Sequence, residues 1–275
     1  MKTLPLFVIT SLVSSLFLAS SALSAPVTES VVTGKVVTEK AAPVQVAAAT
    51  APATATPSAD ELLKKAGDML FPDQFTAKLS IEAVKPGAPN TVSTMMLYKR
   101  GKDSVRAEYL TPAAQAGQRM LRNQGQLYMF MPDTKRPVKL NAKQSLNGGS
   151  FNNGDIMNLN FEQDYNASIL KDDGNQIVLE MKAKNTSVTY DRVLWTLEKK
   201  SLRSVKQEFY TLSGKLIKSL EFQEFKKYGA LERPSVFLMK SELASGVYSK
   251  MTYLEFTPGK TLAESEFRLD ALNRQ

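Results

Sequence analysis

The stretch Ile177-Val178-Leu179-Glu180-Met181-Lys182-Ala183-Lys184 carries an apolar residue at every second position, and from Glu180 onward the positions between them are charged. Successive side chains of a strand point to opposite faces, so this pattern predicts a strand with one buried face. Val193, Trp195 and Leu197 repeat the pattern. From Phe75 onward it recurs in segments of about eight to twelve residues separated by turn signals. The sequence therefore predicts a mainly β domain built as an antiparallel meander.

One helix is predicted before the first strand. Ser58-Ala59-Asp60-Glu61 matches a capping box, in which the Ser side chain caps the helix and Glu61 reaches back to it. Apolar residues then recur at helical spacing as far as Pro72. These residues are Leu62, Ala66, Met69 and Leu70. The domain therefore has few helices, and this one is amphipathic.

Two segments depart from the one-sided pattern. Residues 127–131 are apolar on both faces, which predicts a strand that is covered on both sides. Residues 143–160 are rich in Gly and Asn and too long for a hairpin turn. Such a segment is either a functional lid or a plain surface insertion, and the sequence leaves both interpretations open.

So many one-sided strands need something to cover their apolar faces. The sheet either rolls up on a filled interior or keeps a cavity for an apolar guest. The eleven Met residues favour the cavity, because unbranched thioether chains repack around variable ligands.

The N-terminus predicts export. Met1-Lys2-Thr3 precedes an apolar run over residues 4–18 and a small-residue stretch over residues 19–25. This order is typical of a secretory signal peptide, assigned to residues 1–24, and cleavage after Ala22, Ser24 or Ala25 stays open. Residues 25–57 are rich in Ala, Pro, Thr and Val, which predicts a disordered tether. Residues 58–275 form the folded domain, and the expected location is the periplasm.

The composition excludes several classes of function. The chain has no Cys and no His, which removes Cys nucleophiles, Ser-His-Asp triads, His general bases and Cys/His zinc sites. We therefore expect that the protein is not an enzyme and that it binds neither a metal ion nor a cofactor. The net charge of +8 comes from Lys and Arg dispersed among acids, so nucleic acid is not an expected partner. An anionic membrane surface and an ordinary solvated face both fit this charge.

Several short motifs together resemble the outer-membrane lipoprotein-sorting proteins, the LolA-like family. The resemblance covers roughly residues 62–272. Its motifs are Met95-Met96-Leu97-Tyr98-Lys99-Arg100-Gly101, Arg106-Ala107-Glu108-Tyr109-Leu110-Thr111-Pro112, Leu127-Tyr128-Met129-Phe130-Met131-Pro132 and Gly149-Ser150-Phe151-Asn152-Asn153-Gly154-Asp155. A closing run follows, with Phe209-Tyr210, Gly214-Lys215-Leu216, Lys218-Ser219-Leu220-Glu221-Phe222, Gly229 and Pro234.

The resemblance implies a strongly curved antiparallel half-barrel, closed by helices and a lid loop around a hydrophobic cavity that holds acyl chains. Arg100 would latch the lid, and Phe151 and Asp155 would belong to the lid loop. Some of the expected lining residues are placed on the inward face by strand alternation, and the others are implied by the resemblance. The expected ligand-binding residues are Met95, Leu97, Met120, Leu127, Met129, Met131, Leu179, Met181, Val193, Trp195, Phe209, Leu220 and Phe222.

Two functions fit this resemblance. The first is a carrier of lipoprotein or lipid acyl chains, with a membrane donor complex or exporter and an outer-membrane acceptor as partners. The second is a lipid sensor of the same fold that acts through a protein partner. Sensor relatives carry a second domain after the half-barrel, whereas this chain ends soon after Leu269, which favours the carrier.

Overall fold

The computed structural model describes residues 57–133 and 136–273. The expected signal peptide (1–24) and, apart from Pro57, the expected tether (25–57) lie outside these residues. No helix in the described ranges combines the length and apolar composition that a membrane span requires.

Helices and strands follow one another in a simple order. The helices are α1 (Ala59–Leu70), α2 (Asn153–Met157) and α3 (Phe161–Asp164). The strands are β1 (Gln74–Val84), β2 (Thr91–Arg100), β3 (Ser104–Thr111), β4 (Arg119–Asn123), β5 (Gln126–Phe130), β6 (Pro137–Leu140), β7 (Tyr165–Asp172), β8 (Gln176–Ala183), β9 (Arg192–Glu198), β10 (Ser204–Tyr210), β11 (Leu216–Tyr228), β12 (Leu231–Ser241) and β13 (Tyr248–Pro258). Short 3₁₀ turns occur at Leu146–Gly148, Glu264–Phe267 and Leu269–Asn273.

All the strands belong to one curved antiparallel sheet that does not close into a barrel. Its order is β6-β5-β4-β3-β2-β1-β13-β12-β11-β10-β9-β8-β7. The chain starts at the centre, meanders out to the β6 edge, crosses to the β7 edge and meanders back until β13 pairs with β1. The mainly β half-barrel predicted from the sequence is confirmed.

The predicted alternation places the core on one face of the sheet. In β8 and β9 the residues that the sequence pattern sends inward are buried, except Ala183, which is partly buried, and the charged residues between them are partly or fully exposed. The inward side chains of most strands, together with α1, form one large apolar core. Burial of this apolar surface stabilises the open sheet.

Helix α1 begins where the capping box predicts. The Ser58 Oγ accepts from the Glu61 amide at 3.2 Å, and a Glu61 carboxylate oxygen accepts from the Ser58 amide at 3.0 Å. The buried stripe differs from the predicted one at two positions, because Leu63 is buried and Met69 is only partly so. The stripe is therefore wider toward Leu63 than simple spacing suggests.

Strand β5 is covered on both sides, as its sequence predicts. Leu127 joins the large core, and Phe130 packs into a second, smaller core on the opposite face of the sheet. That second core consists of Leu121, Phe130, Leu262, Phe267 and Leu272. The residues after β13 therefore supply the second cover.

Candidate functional site

The two edges of the sheet are joined by residues 141–164, which we call the crossing segment. Because β6 and β7 lie at opposite edges, this connection has to pass over one face of the sheet. Most of its apolar side chains are buried in the large core. They are Leu146, Phe151, Ile156, Met157 and Leu159. The segment predicted as a lid or a surface insertion is therefore packed onto the sheet rather than projecting from it.

A cavity lies between the crossing segment, the end of α1 and the inward face of β9–β13. Its free volume is about 50 Å³, smaller than the roughly 300–1,000 Å³ of most small-molecule sites. The lining residues are Leu70, Phe71, Phe151, Gly154, Asp155, Asn158, Phe161, Asp164, Tyr165, Thr189, Tyr190, Val193, Gln207, Phe209, Leu220, Phe222, Phe237, Met239 and Met251. Most are apolar or aromatic, so the wall of the cavity suits an alkyl chain, but a long chain would fit only if the crossing segment moved outward.

The expected ligand-binding residues divide into two groups. Val193, Phe209, Leu220 and Phe222 line this cavity, together with Phe151 and Asp155 of the expected lid loop. The others do not line it, and all of them except Met131 belong to or pack against the surrounding core. Met95, Leu97, Met120, Leu127, Leu179, Met181 and Trp195 are buried there, and Met129 and Met131 are partly buried.

Sequence reasoning missed part of the lining. Leu70 and Phe71 come from the end of α1, Phe161 comes from α3, and Phe237 and Met251 come from β12 and β13. The α1 stripe and the strand alternation were visible in the sequence, but their meeting point was not. Aromatic rings dominate this meeting point, since Phe71 lies 6.1 Å from Phe161 and 6.2 Å from Phe237 between ring centroids.

A polar network fixes the crossing segment to the sheet. An Asp155 carboxylate oxygen accepts from the Asn152 amide at 2.7 Å and from the Tyr190 hydroxyl at 2.9 Å. Lys218 of β11 donates from Nζ to the Asn152 side-chain oxygen at 2.9 Å. Burial raises the pKa of Asp155, and the nearby Lys218 opposes this rise. The network joins the start of α2 to the β8–β9 loop and to β11.

The crossing segment also approaches the β8–β9 loop very closely at Gly154. A Cβ atom at this position would lie 2.0 Å from the Thr189 Oγ1 and 3.2 Å from the Ala142 carbonyl oxygen. Only a glycine allows this contact, so the local sequence Asn153-Gly154-Asp155 suits the docking of α2.

Two buried cations hold the C-terminal end of α1 against the sheet. Lys99 donates from Nζ to the Pro72 carbonyl oxygen at 2.9 Å, and Arg233 donates from Nε to the Leu70 carbonyl oxygen at 3.1 Å. The last carbonyls of a helix lack partners within the helix and carry partial negative charge, so a cation suits the Leu70 carbonyl, whereas Pro72 lies just after the helix. Arg233 is fully buried and lies over the rings of Tyr253 and Phe256.

The expected latch residue Arg100 lies elsewhere. Its guanidinium is 3.4 Å from the Glu264 carboxylate, in the segment after β13. Neighbouring contacts hold the same segment, since Arg106 pairs with Glu266 at 3.3 Å. A latch role for Arg100 on the crossing segment stays a prediction.

The buried Lys99 makes a pH-dependent contribution to stability that can be measured. Burial lowers its pKa from 10.5 to about 8. Between these values the unfolded chain binds more protons than the folded protein, so the free energy of unfolding rises with pH. We expect the stability of the wild type relative to Lys99→Met to increase from about pH 8 to about pH 10.5, by about 1–3 kcal/mol.

Urea denaturation of both proteins at pH values across this window measures the difference directly. The other titrating groups are common to both proteins and cancel. Lys102→Met, on the exposed β2–β3 turn, is the matched control and should show no such slope. A gap between wild type and Lys99→Met that stays constant with pH would contradict the prediction.

An open antiparallel sheet, with a helix and a crossing segment over one face and an apolar cavity between them, defines a LolA-like fold. Solved structures share it. The LolA superfamily protein NE2245 from Nitrosomonas europaea is 28% identical, with a TM-score of 0.72, over 78% of this chain and 100% of that one. A putative outer membrane lipoprotein-sorting protein domain from Vibrio parahaemolyticus is 20% identical, with a TM-score of 0.68, over 78% and 98% of the two chains.

The family follows from the sequence match. A family model described as "Uncharacterized protein" matches residues 101–274, more than half of the chain, and the chain belongs to that family. No curated protein matches the sequence. A DUF1329 family protein from Desulfovibrio piger also shares the fold, with 16% identity and a TM-score of 0.68 over 78% and 97% of the two chains. The resemblance to the LolA-like family is confirmed.

Proposed function

We propose that this protein is a periplasmic carrier, which binds acyl chains of a lipoprotein or another lipid in its cavity and moves them between membranes. The observation that carries the proposal is the apolar cavity between β9–β13, the end of α1 and the crossing segment. The similarity to the LolA superfamily protein of Nitrosomonas europaea supports it. The protein acts by binding, and no catalytic step is required.

The energetics of an acyl chain explain what such a cavity contributes. Each CH₂ group moved from water to an apolar site gains about 0.8 kcal/mol, so a long chain has a strong aversion to water. A cavity lined by aromatic and aliphatic side chains cancels most of that cost. Transfer from a donor membrane to the carrier and on to an acceptor then becomes a series of nearly balanced exchanges.

The crossing segment is a suitable lid. Backbone hydrogen bonds of the sheet continue on either side of it, whereas the segment itself is fixed largely by side chains such as Asp155 and Lys218. It can therefore move away from β9–β13 without breaking the backbone hydrogen bonds between strands. The proposed partners that would trigger this movement are a membrane donor complex or exporter and an outer-membrane acceptor. An anionic membrane surface would attract the basic chain.

The proposed location rests on the N-terminus. Residues 1–24 act as a cleaved export signal, residues 25–57 as a tether and residues 58–275 as the binding domain. Intact-mass measurement of protein recovered from the periplasm should show the loss of about 22 to 25 residues. A full-length mass in the membrane fraction would contradict export with cleavage.

Lipid content tests the proposal itself. Protein purified without detergent should release acyl lipid on solvent extraction, identified by mass spectrometry, and should move a fluorescent lipopeptide between vesicles. Protein that neither releases acyl lipid nor binds the lipopeptide is not a carrier.

Filling the cavity should block binding. Leu220 is buried and lines the cavity, so Leu220→Trp places a large ring where the acyl chain would lie. We expect lipopeptide affinity to fall by more than about tenfold, while overpacking costs about 1–3 kcal/mol of stability. Leu212→Trp makes the same substitution on a side chain that is 90% exposed and should change neither property. Equal binding by the two variants would place the ligand outside this cavity.

A further inference from the structure

Most of the cavity wall is apolar, but three of the residues that line it carry a buried polar atom without a hydrogen-bond partner in the described part of the chain. The atoms are the Gln207 Nε2, the Thr189 Oγ1 and the Asn158 Oδ1, none of which has a hydrogen-bond partner among residues 57–133 and 136–273. All three residues line the same cavity. Gln207 is only 3% exposed, so bulk solvent does not reach its side chain.

These atoms come from three separate parts of the chain. Gln207 lies on β10 opposite Trp195 of β9, Thr189 lies on the β8–β9 loop, and Asn158 follows α2. A buried polar atom without a partner destabilises the fold, so native proteins contain few of them. The three residues line one cavity, so a molecule bound there can supply the missing partners.

The hydrogen-bonding capacity of the three groups is mixed. The Gln207 nitrogen donates, the Asn158 oxygen accepts and the Thr189 hydroxyl can do either. A single ligand group that both donates and accepts can satisfy them together. Hydroxyl and amide groups have this property, whereas a hydrocarbon or a bare carboxylate does not.

The charges of the cavity argue against an anionic group. Among the lining residues, all of them in the described ranges, two are carboxylates and none is a Lys or an Arg. Asp155 is held by Asn152 and Tyr190, and Asp164 lies 3.8 Å from Arg122. An anion placed here would lose its water and meet two like charges. Arg233 contacts the lining residues Leu70 and Phe237 but does not itself line the cavity.

We propose that Gln207, Thr189 and Asn158 form a polar subsite for an uncharged hydroxyl or amide group attached to an alkyl chain. The inference rests on the proposed function and narrows its cargo to amphiphiles whose group next to the chain is neutral. The alkyl part lies along Phe209, Leu220 and Phe222, and the polar group meets the subsite at the α2 end of the cavity.

Matched twelve-carbon probes test the subsite. Trp195 is the only Trp of the chain, and its ring centroid lies 4.9 Å from that of the cavity-lining Phe161, so its fluorescence reports binding. We expect dodecanol and dodecanamide to bind the wild type about tenfold or more tighter than dodecanoate at alkaline pH. Gln207→Leu and Thr189→Val should each weaken dodecanol binding by about 3- to 10-fold and leave dodecane binding unchanged or stronger.

A second readout separates a binding role from a purely structural one. Both substitutions remove an unpaired buried polar atom, so each ligand-free variant should melt at the same temperature as the wild type or higher. Gln223→Leu makes the same change on an exposed residue of β11 and should alter neither binding nor melting.

The failures are distinguishable. If dodecane and dodecanol bind equally and Gln207→Leu changes nothing, the subsite is wrong and the carrier proposal stands. The same conclusion holds if the substitutions lower the affinity for every probe equally, or lower the melting temperature. The polar groups would then stabilise the protein itself rather than bind the ligand. If no probe binds and no acyl lipid co-purifies, the carrier proposal itself is wrong.

Discussion

Trp195→Ala is expected to cost about 3–5 kcal/mol of stability, the range for removing a large aromatic side chain from a core. Trp195 is fully buried on β9, donates from Nε1 to the Ser204 Oγ at 3.2 Å and packs against Phe161 of α3. Its removal would leave a void beneath the helix that covers the cavity. For a domain of this size the expected fall in melting temperature is roughly 6–20 °C.

Circular dichroism during urea or thermal unfolding measures this loss without relying on the tryptophan signal. Trp195→Phe keeps a ring against Phe161 and should lose clearly less stability, the remaining loss coming from the smaller ring and the unpaired Ser204 hydroxyl. Leu212→Ala, at a side chain that is 90% exposed, should change stability by less than about 0.5 kcal/mol. A Trp195→Ala protein as stable as this control would show that the core under α3 is not packed as described.

Asp155→Ala is expected to release the crossing segment from the sheet. The substitution leaves the Asn152 amide and the Tyr190 hydroxyl without their acceptor and removes the negative charge near Lys218. Each stranded donor costs about 1–3 kcal/mol, so we expect a loss on the order of 3 kcal/mol. The loss should be concentrated in residues 141–164, measured as faster amide exchange and faster proteolysis there.

Asp155→Asn retains a side-chain oxygen that can accept from the same donors. It should therefore keep most of the stability and most of the exchange protection, which separates the hydrogen bonds from the charge. A second control is Asp173→Ala, because Asp173 lies in the exposed β7–β8 turn. Equal protection of the crossing segment in wild type and Asp155→Ala would show that the apolar side chains alone hold it.

Local sequence signals were enough for the elements themselves. The Ser58 capping box places the start of α1, and the alternation around Trp195 gives the buried face of β9. The two-sided apolar run of β5 also predicts that something covers its outer face. These signals work because helix capping and strand alternation are properties of a few consecutive residues.

Local signals of this kind could not predict which polar residues are buried on the inner face of the sheet. Lys99, Gln207 and Arg233 are all nearly or fully buried, although composition and periodicity favour solvent for residues of their kind. Their burial depends on partners and neighbours far along the chain, such as the Pro72 and Leu70 carbonyls at the end of α1. A charge at a strand position does not by itself reveal that a helix terminus lies above it.

The sequence by itself determined the helix, the strands, their turns and the apolar face that each strand presents. Only the tertiary structure decided that β13 returns to pair with β1, and that residues 141–164 must therefore cross from one edge of the sheet to the other. The cavity follows from that crossing, since Leu220 and Phe161 meet only when the segment lies over the sheet. Periodicity is fixed within a few residues of one strand, whereas a cavity forms between elements that lie far apart in the chain and are brought together only by folding.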